Sequence, residues 1–169
     1  MLYCLDQPYP KIKVDKPNIE EALLILNSYA GEISENTASH LYLYQSFSLK
    51  EKNPKYSDIL EKISIVEMKH LELLAQAIQL LGLAPAYVAI KDNKLIPWNS
   101  SYVNYELNVE ELLKFNIESE KKAIRQYEKL IDQLSNVSIQ NLIKRIIQDE
   151  EIHITIFSSM LKEIEAGEN

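Results

Sequence analysis

The chain has 169 residues, a net charge of −7 and 46% hydrophobic residues, which suits a single domain with a core of its own. Its acidic residues are spread along the sequence and no basic patch offsets them, so nucleic acid is not an expected partner. The one cysteine, Cys4, excludes an intramolecular disulfide and any cysteine-built zinc or iron–sulfur site within one chain, and fits a reducing, cytoplasmic setting.

Residues 1–17 carry Pro8, Pro10 and Pro17 and read as an extended arm that packs on the rest of the chain or on a second subunit. The arm lacks the apolar core of a signal peptide, and no later run is long and apolar enough to suggest a membrane span. Asn18 and Glu21 resemble a capping box. They open a first helix expected to run unbroken from Ile19 to Leu49, with Leu24, Ser28, Glu35, Ala38, Tyr42 and Gln45 facing inward. Asn53-Pro54 supplies a cap and a first helical position. The second helix follows to Leu81, with Ile59, Ile63, Val66, Glu67, His70, Leu74 and Ala77 on one face, and Gly82 stops it. Residues 83–107 show no helical period, and their Pro85, Tyr87, Pro97, Trp98, Tyr102 and Tyr105 are too aromatic for a disordered linker. A connection of this length suits a crossover along a bundle rather than a hairpin between neighbours. Asn108 opens a third helix to Leu134, with Leu113, Ile117, Glu120, Ile124, Tyr127 and Ile131 inward. A Ser135-Asn136 turn leads to a fourth, whose stripe is Ile139, Leu142, Ile146, Glu150, His153, Phe157 and Met160. The scarcity of glycine, three residues in all, agrees with an all-α chain. The organisation expected is an arm over 1–17 and a four-helix bundle over 18–169, with the crossover at 83–107 between helices 2 and 3.

In each helix an acid interrupts an apolar stripe, and buried carboxylates are costly unless paired or bound to metal. Glu67-Met68-Lys69-His70 and Glu150-Glu151-Ile152-His153 are two Glu-x-x-His units. At that spacing on a helix, the carboxylate and the imidazole lie on one face, one turn apart. Glu35 with Ala38 and Tyr42, and Glu120 with Ala123 and Tyr127, share the pattern Glu-x-x-Ala-x-x-x-Tyr. The chain is therefore a diverged repeat: a Glu helix, then a Glu-x-x-His helix, twice. That set matches the constellation of di-iron and di-manganese carboxylate bundles.

Four ionised Glu carry four negative charges, which two divalent cations neutralise; without metal the carboxylates repel and some take up protons. The roles expected are Glu67 and Glu150 as bridges, Glu35 and Glu120 as terminal ligands, and His70 and His153 as one imidazole per ion. Oxygen-rich ligation with two imidazoles and no thiolate suits iron or manganese. Tyr42, Tyr127 and Asp149 are candidates for the layer behind the ligands, with Asp149 either an acceptor for His70 or simply an exposed acid. His40 and the acids Glu118, Glu128 and Glu151 read as surface residues, and Met68 reads as packing.

These helices resemble the ferritin-like superfamily, specifically the bacterioferritin and rubrerythrin helices, over roughly residues 19–166. The arm and the crossover look more like those of manganese catalases and related spore-coat proteins. The resemblance implies a ferritin-like four-helix bundle and a di-metal redox protein acting on peroxide or dioxygen: peroxidase-, catalase- or ferroxidase-like. The alternatives are iron storage in a ferritin-like assembly, and a coat-type helical bundle whose metal site is not catalytic. Rubrerythrins place a further Glu three residues after the third-helix ligand, where this chain has Ala123. A homo-oligomer, a dimer or larger, is expected. With one cysteine and no dinucleotide-binding fingerprint in the chain, electrons must come from an external donor protein or from the substrate itself.

Overall fold

The computed structural model describes residues 3–167, which form five α-helices: α1 (Ile19–Ala30), α2 (Glu35–Leu49), α3 (Pro54–Leu80), α4 (Val109–Gln133) and α5 (Val137–Glu165). α1 and α2 together take the first helical position of a four-helix bundle. Short turns join α2 to α3 and α4 to α5, so each pair packs as antiparallel neighbours, while α1 lies against α3 and α4. The long crossover runs between α3 and α4, as the sequence implies.

Side chains set most of the helix starts. Asn18, Ser34, Asn108 and Asn136 each accept a hydrogen bond from the backbone N–H three residues on, satisfying a donor that the first turn leaves without a partner. α3 departs from this: Asn53 makes no side-chain cap, and Pro54 opens the helix at its first position, where its missing N–H costs nothing. Gly82 closes α3 with φ +95°, where an added Cβ would come within 3.1 Å of Pro17.

The first helix is not continuous. Gly31 is extended, and a Cβ there would lie 2.5 Å from the Asn27 carbonyl oxygen. Ser34 Oγ and Thr37 Oγ1 both donate to the Gly31 carbonyl, at 2.7 and 2.8 Å. From α4, Gln126 Nε2 donates to the Ile33 carbonyl at 3.0 Å and to Ser28 Oγ at 2.9 Å. The break therefore has its own hydrogen-bond partners, and a helical line carried across it loses phase. Leu24, expected inward, is 37% exposed, and Ala22, Ile25, Leu26 and Tyr29 face the core instead.

The crossover contains an antiparallel hairpin, β1 (Val88–Lys91) with β2 (Lys94–Pro97). Asp92 and Asn93, both at positive φ, form its turn, as two-residue hairpin turns require. Trp98 and Val103 press the connection onto the bundle. The arm packs on the bundle too: Lys13 N–H donates to Ser138 Oγ at 2.9 Å, and Asn136 donates to the Lys13 carbonyl at 3.1 Å.

Two apolar clusters fill the interior. One gathers α1, the end of α3, the end of α4 and the start of α5. The other gathers α2, the start of α3, the start of α4 and the end of α5. On α3, α4 and α5 the acid-bearing turns fall between the two clusters. No helix among the described residues is long and apolar enough to cross a membrane.

Candidate metal centre

Four helices bring six side chains into the layer between the apolar clusters. Glu35 stands in the first turn of α2, Glu67 and His70 on α3, Glu120 on α4, and Glu150 and His153 on α5. None is more than 3% exposed. They form two overlapping groups: Glu35, Glu67, His70 and Glu150, and Glu67, Glu120, Glu150 and His153. Within each group one ligand atom per residue lies within 4.8 Å of the others. Glu67 and Glu150 belong to both.

Each histidine turns Nδ1 to the carboxylates. His70 Nδ1 lies 3.4 Å from Glu35 Oε2, 3.4 Å from Glu67 Oε2 and 3.2 Å from Glu150 Oε1. His153 Nδ1 lies 2.9 Å from Glu67 Oε1, 3.0 Å from Glu150 Oε2 and 3.7 Å from Glu120 Oε1. In this geometry His70 Nδ1 and Glu67 Oε1 are buried without an aligned hydrogen bond among the described residues. Buried polar atoms normally have partners; convergent donor atoms that lack them suit ions between them. The donor set fits two metal ions.

The electrostatics have the same cause. Burial, reinforced by Glu150 and Glu67, raises Glu35 well above the ordinary carboxylate range and brings Glu120 to about 8. Burial opposes the charged histidines, yet Glu150 and Glu35 around His70, and Glu67 beside His153, push both imidazoles well above their usual value. Glu67 goes the other way: against its burial, His153 and His70 hold it below the ordinary range. Without metal, protons on carboxyl and imidazole groups balance the charge that cations would otherwise balance.

The two tyrosines brace the centre crosswise. Tyr42, on the same helix as Glu35, donates its hydroxyl to Glu120 at 2.5 Å. Tyr127, on the same helix as Glu120, donates to Glu35. Burial and the adjacent Glu raise both phenols, so they stay protonated donors. Gln45, also inward, pairs reciprocally with Asn116 and stands apart from the cluster.

Behind His70, Asp149 Oδ2 lies 3.1 Å from Nε2. Asp149 is fully buried and surrounded by donors: Arg145 at 2.6 Å, the Leu5 N–H at 2.7 Å and the Tyr9 hydroxyl at 2.7 Å. Although burial opposes it, His70 and Arg145 hold the carboxylate down, at about 2. Behind His153, Nε2 meets the Tyr3 carbonyl at 3.0 Å. Tyr3, Leu5, Tyr9 and Arg145 were not legible as site residues. Only Arg145, four residues before Asp149 on one helix face, left a trace in the sequence.

The other sequence readings divide. His40 is exposed, with its ring 4.8 Å from that of Trp98. Glu118, Glu128 and Glu151 are exposed, as read. Met68 is not packing: it is 45% exposed on α3, because it sits one position round the helix from Glu67 and faces away from the centre.

A cavity of about 120 Å³ joins the centre to the surface. Its lining runs from exposed Glu32 and Lys122 past Ala38 and Ala123 to Glu35, Glu67, Glu120 and Glu150.

A family model described as Rubrerythrin matches residues 25–161. The chain is 27% identical to a probable manganese catalase of Clostridium acetobutylicum, over 91% of this chain and 76% of that protein. It is 26% identical to a bacterioferritin of Desulfovibrio desulfuricans, over 73% of this chain and 65% of that one. Among solved structures, a manganese catalase from Anabaena PCC7120 superposes with a TM-score of 0.85 at 23% identity, covering 98% of this chain and 81% of that one. The Desulfovibrio desulfuricans bacterioferritin gives a TM-score of 0.68 at 22% identity, covering 87% of this chain and 81% of that one.

Proposed function

The chain belongs to the rubrerythrin family, and we propose that, as a di-metal redox protein acting on peroxide or dioxygen, it disproportionates hydrogen peroxide to water and dioxygen. The observation that carries this reading is the pair of overlapping donor sets sharing Glu67 and Glu150, opening onto a small cavity. In this reading Glu35, Glu67 and His70 hold one ion with Glu150, and Glu120, Glu150 and His153 hold the other with Glu67. The ions are iron or manganese; when bound, they exchange electrons reversibly with a small oxygen substrate.

The protein's own part is position and exclusion. Tyr42 and Tyr127 hold the terminal carboxylates Glu120 and Glu35 in place. Ala38 and Ala123 line the cavity on the way to the carboxylates and leave room there that larger side chains would fill. Ala123 also removes the additional carboxylate on which rubrerythrin-type ligand switching depends, which weighs against a peroxidase cycle. In disproportionation, two peroxide molecules give two waters and one dioxygen. One is oxidised and one reduced, so no separate electron donor is required. The similarity to a probable manganese catalase over most of both chains supports the same reading.

The bacterioferritin likeness favours a second reading, ferrous iron oxidation and storage. Either activity fits a homo-oligomer, and exposed Phe47, Met68 and Leu107 are apolar surface that subunit contacts would cover. Storage needs a large closed shell, so a dimer or other small oligomer by light scattering counts against it. The deciding experiment adds hydrogen peroxide to manganese-loaded and iron-loaded protein in parallel. Brisk oxygen release from the manganese form, abolished by Glu67→Ala or His153→Ala, is the expected result. Oxidation without oxygen release from the iron form points to ferroxidase or peroxidase work. Silence from both at full occupancy overturns the enzymatic reading and leaves a structural bundle.

A further inference from the structure

Within the repeat, Asp149 immediately precedes the Glu150 unit, and Val66 holds the corresponding place before the Glu67 unit. Asp149 on α5 reaches across to His70 on α3. By the same relation Val66 on α3 is the position from which a carboxylate would face His153. It is a buried valine, 2% exposed, and supplies no acceptor. His153 Nε2 instead meets the Tyr3 backbone carbonyl at 3.0 Å.

We propose that residues 3–9 of the arm are a positioning element for the metal centre, whose Tyr3 carbonyl replaces the carboxylate missing at Val66 and makes the two ion positions unequal. The inference rests on the di-metal reading above. A ring N–H held by an acceptor fixes the tautomer and orientation of a ligating histidine, and a carboxylate acceptor makes the imidazole a stronger donor than a neutral carbonyl does. The His70 position, backed by Asp149, is the tighter one. The His153 position is the weaker, and its geometry depends on a segment outside the bundle.

The arm is fastened where this role needs it. Arg145 Nη2 donates to the Leu5 carbonyl at 2.8 Å and to the Gln7 carbonyl at 3.1 Å. The Leu5 N–H and the Tyr9 hydroxyl each take one oxygen of Asp149. The Tyr9 ring stands edge-on to His70 at 5.9 Å and lies 4.6 Å from the Arg145 guanidinium carbon. Asp149 and Arg145 thus anchor the stretch that carries the carbonyl to His153, and the partners behind both histidines form one connected network.

Zinc, which is diamagnetic, tests this by histidine 15N NMR, with each Nδ1 signal reporting its own ion. In the intact chain the His70 signal is expected to respond at lower zinc than the His153 signal. A chain lacking residues 2–4 keeps Leu5 and Tyr9 but loses the Tyr3 carbonyl. Its zinc affinity at His153 should fall about 10- to 100-fold, with loss of the fixed Nε2–H tautomer, while His70 changes little. Asp149→Asn should reverse the pattern, weakening the His70 position more. An arm that only adds stability would weaken both positions alike, and that outcome, or no change at His153, overturns the proposal. If neither histidine of the intact chain responds at saturating zinc, the di-metal reading itself has failed. That result is distinct from a paired response that truncation leaves untouched.

Discussion

The two halves of the bundle contribute the same groups to the centre and differ in what surrounds them. α2 with α3 brings Glu35, Tyr42, Glu67 and His70; α4 with α5 brings Glu120, Tyr127, Glu150 and His153. The tyrosine of each half braces the terminal carboxylate of the other. Outside that ring the correspondence ends. α4 runs unbroken through its acid, whereas the first rod breaks at Gly31–Ser34 and places Glu35 at a new helix start. One histidine is backed by a buried carboxylate, the other by a backbone carbonyl from the arm. Under the di-metal reading each group of the donor set must ligate or neutralise, whereas the shell around it needs only to present an acceptor, which a helix or the arm can supply.

The largest effect should come from the residues that both halves share. Glu67→Ala or Glu150→Ala should remove at least one ion per chain by elemental analysis and abolish the peroxide reaction, while Glu151→Ala, on the exposed face of the same turn, should do neither. Equal metal content in Glu67→Ala and Glu151→Ala proteins would falsify the ligand assignment. Acid and base should act oppositely on loaded and metal-free protein. Glu120, brought to about 8 by burial and its acidic neighbours, is raised above its unfolded value. Its protonation stabilises the metal-free fold at low pH, and that contribution is lost as pH rises toward 8. Metal-free protein should therefore melt at lower temperature by several degrees between about pH 6 and pH 9, and Glu120→Gln should flatten the slope. Loaded protein should instead lose its metal on acidification, because protons compete for the ligands.

Smaller effects probe the symmetry itself. Tyr42→Phe and Tyr127→Phe each remove one buried hydroxyl donor, at a cost of about 1–3 kcal/mol. If the halves are equivalent at this level, the two variants should lose stability and metal affinity by similar factors; a large disparity in denaturant midpoints would show that they are not. Smallest is Ser34→Ala, which removes a cap that has no counterpart in mid-α4. A loss of about 1 kcal/mol, or roughly 2–4 °C in Tm for a chain of this size, is expected, with both ions retained.

The candidate donor residues were legible because helical spacing converts directly into a shared face: a separation of three positions from Glu67 to His70 leaves little choice. Long apolar stripes such as Ile139 to Met160 fixed the helices for the same reason. The break at Gly31 was hidden because its causes are a close approach to Asn27 and hydrogen bonds from distant Gln126 and nearby Thr37, none visible in periodicity. The hairpin did carry a local signal, Asp92-Asn93 between short runs with β-branched residues, and a search for helical periods passes over it. The arm's contact with the histidines had no signal at all, since a carbonyl oxygen is the same at every residue.

The break at Gly31–Ser34 also forms part of the cavity wall, through Glu32, Ile33 and Ser34. Thr37 Oγ1, which accepts from Trp98 Nε1 at 2.9 Å, ties it to the crossover, and Gln126 ties it to α4. Backbone fastened at both ends in this way favours a fixed aperture over a gated one. Under the peroxide reading, the expected outcome is selection by molecular girth, checked by comparing how fast loaded protein consumes hydrogen peroxide and a branched alkyl hydroperoxide.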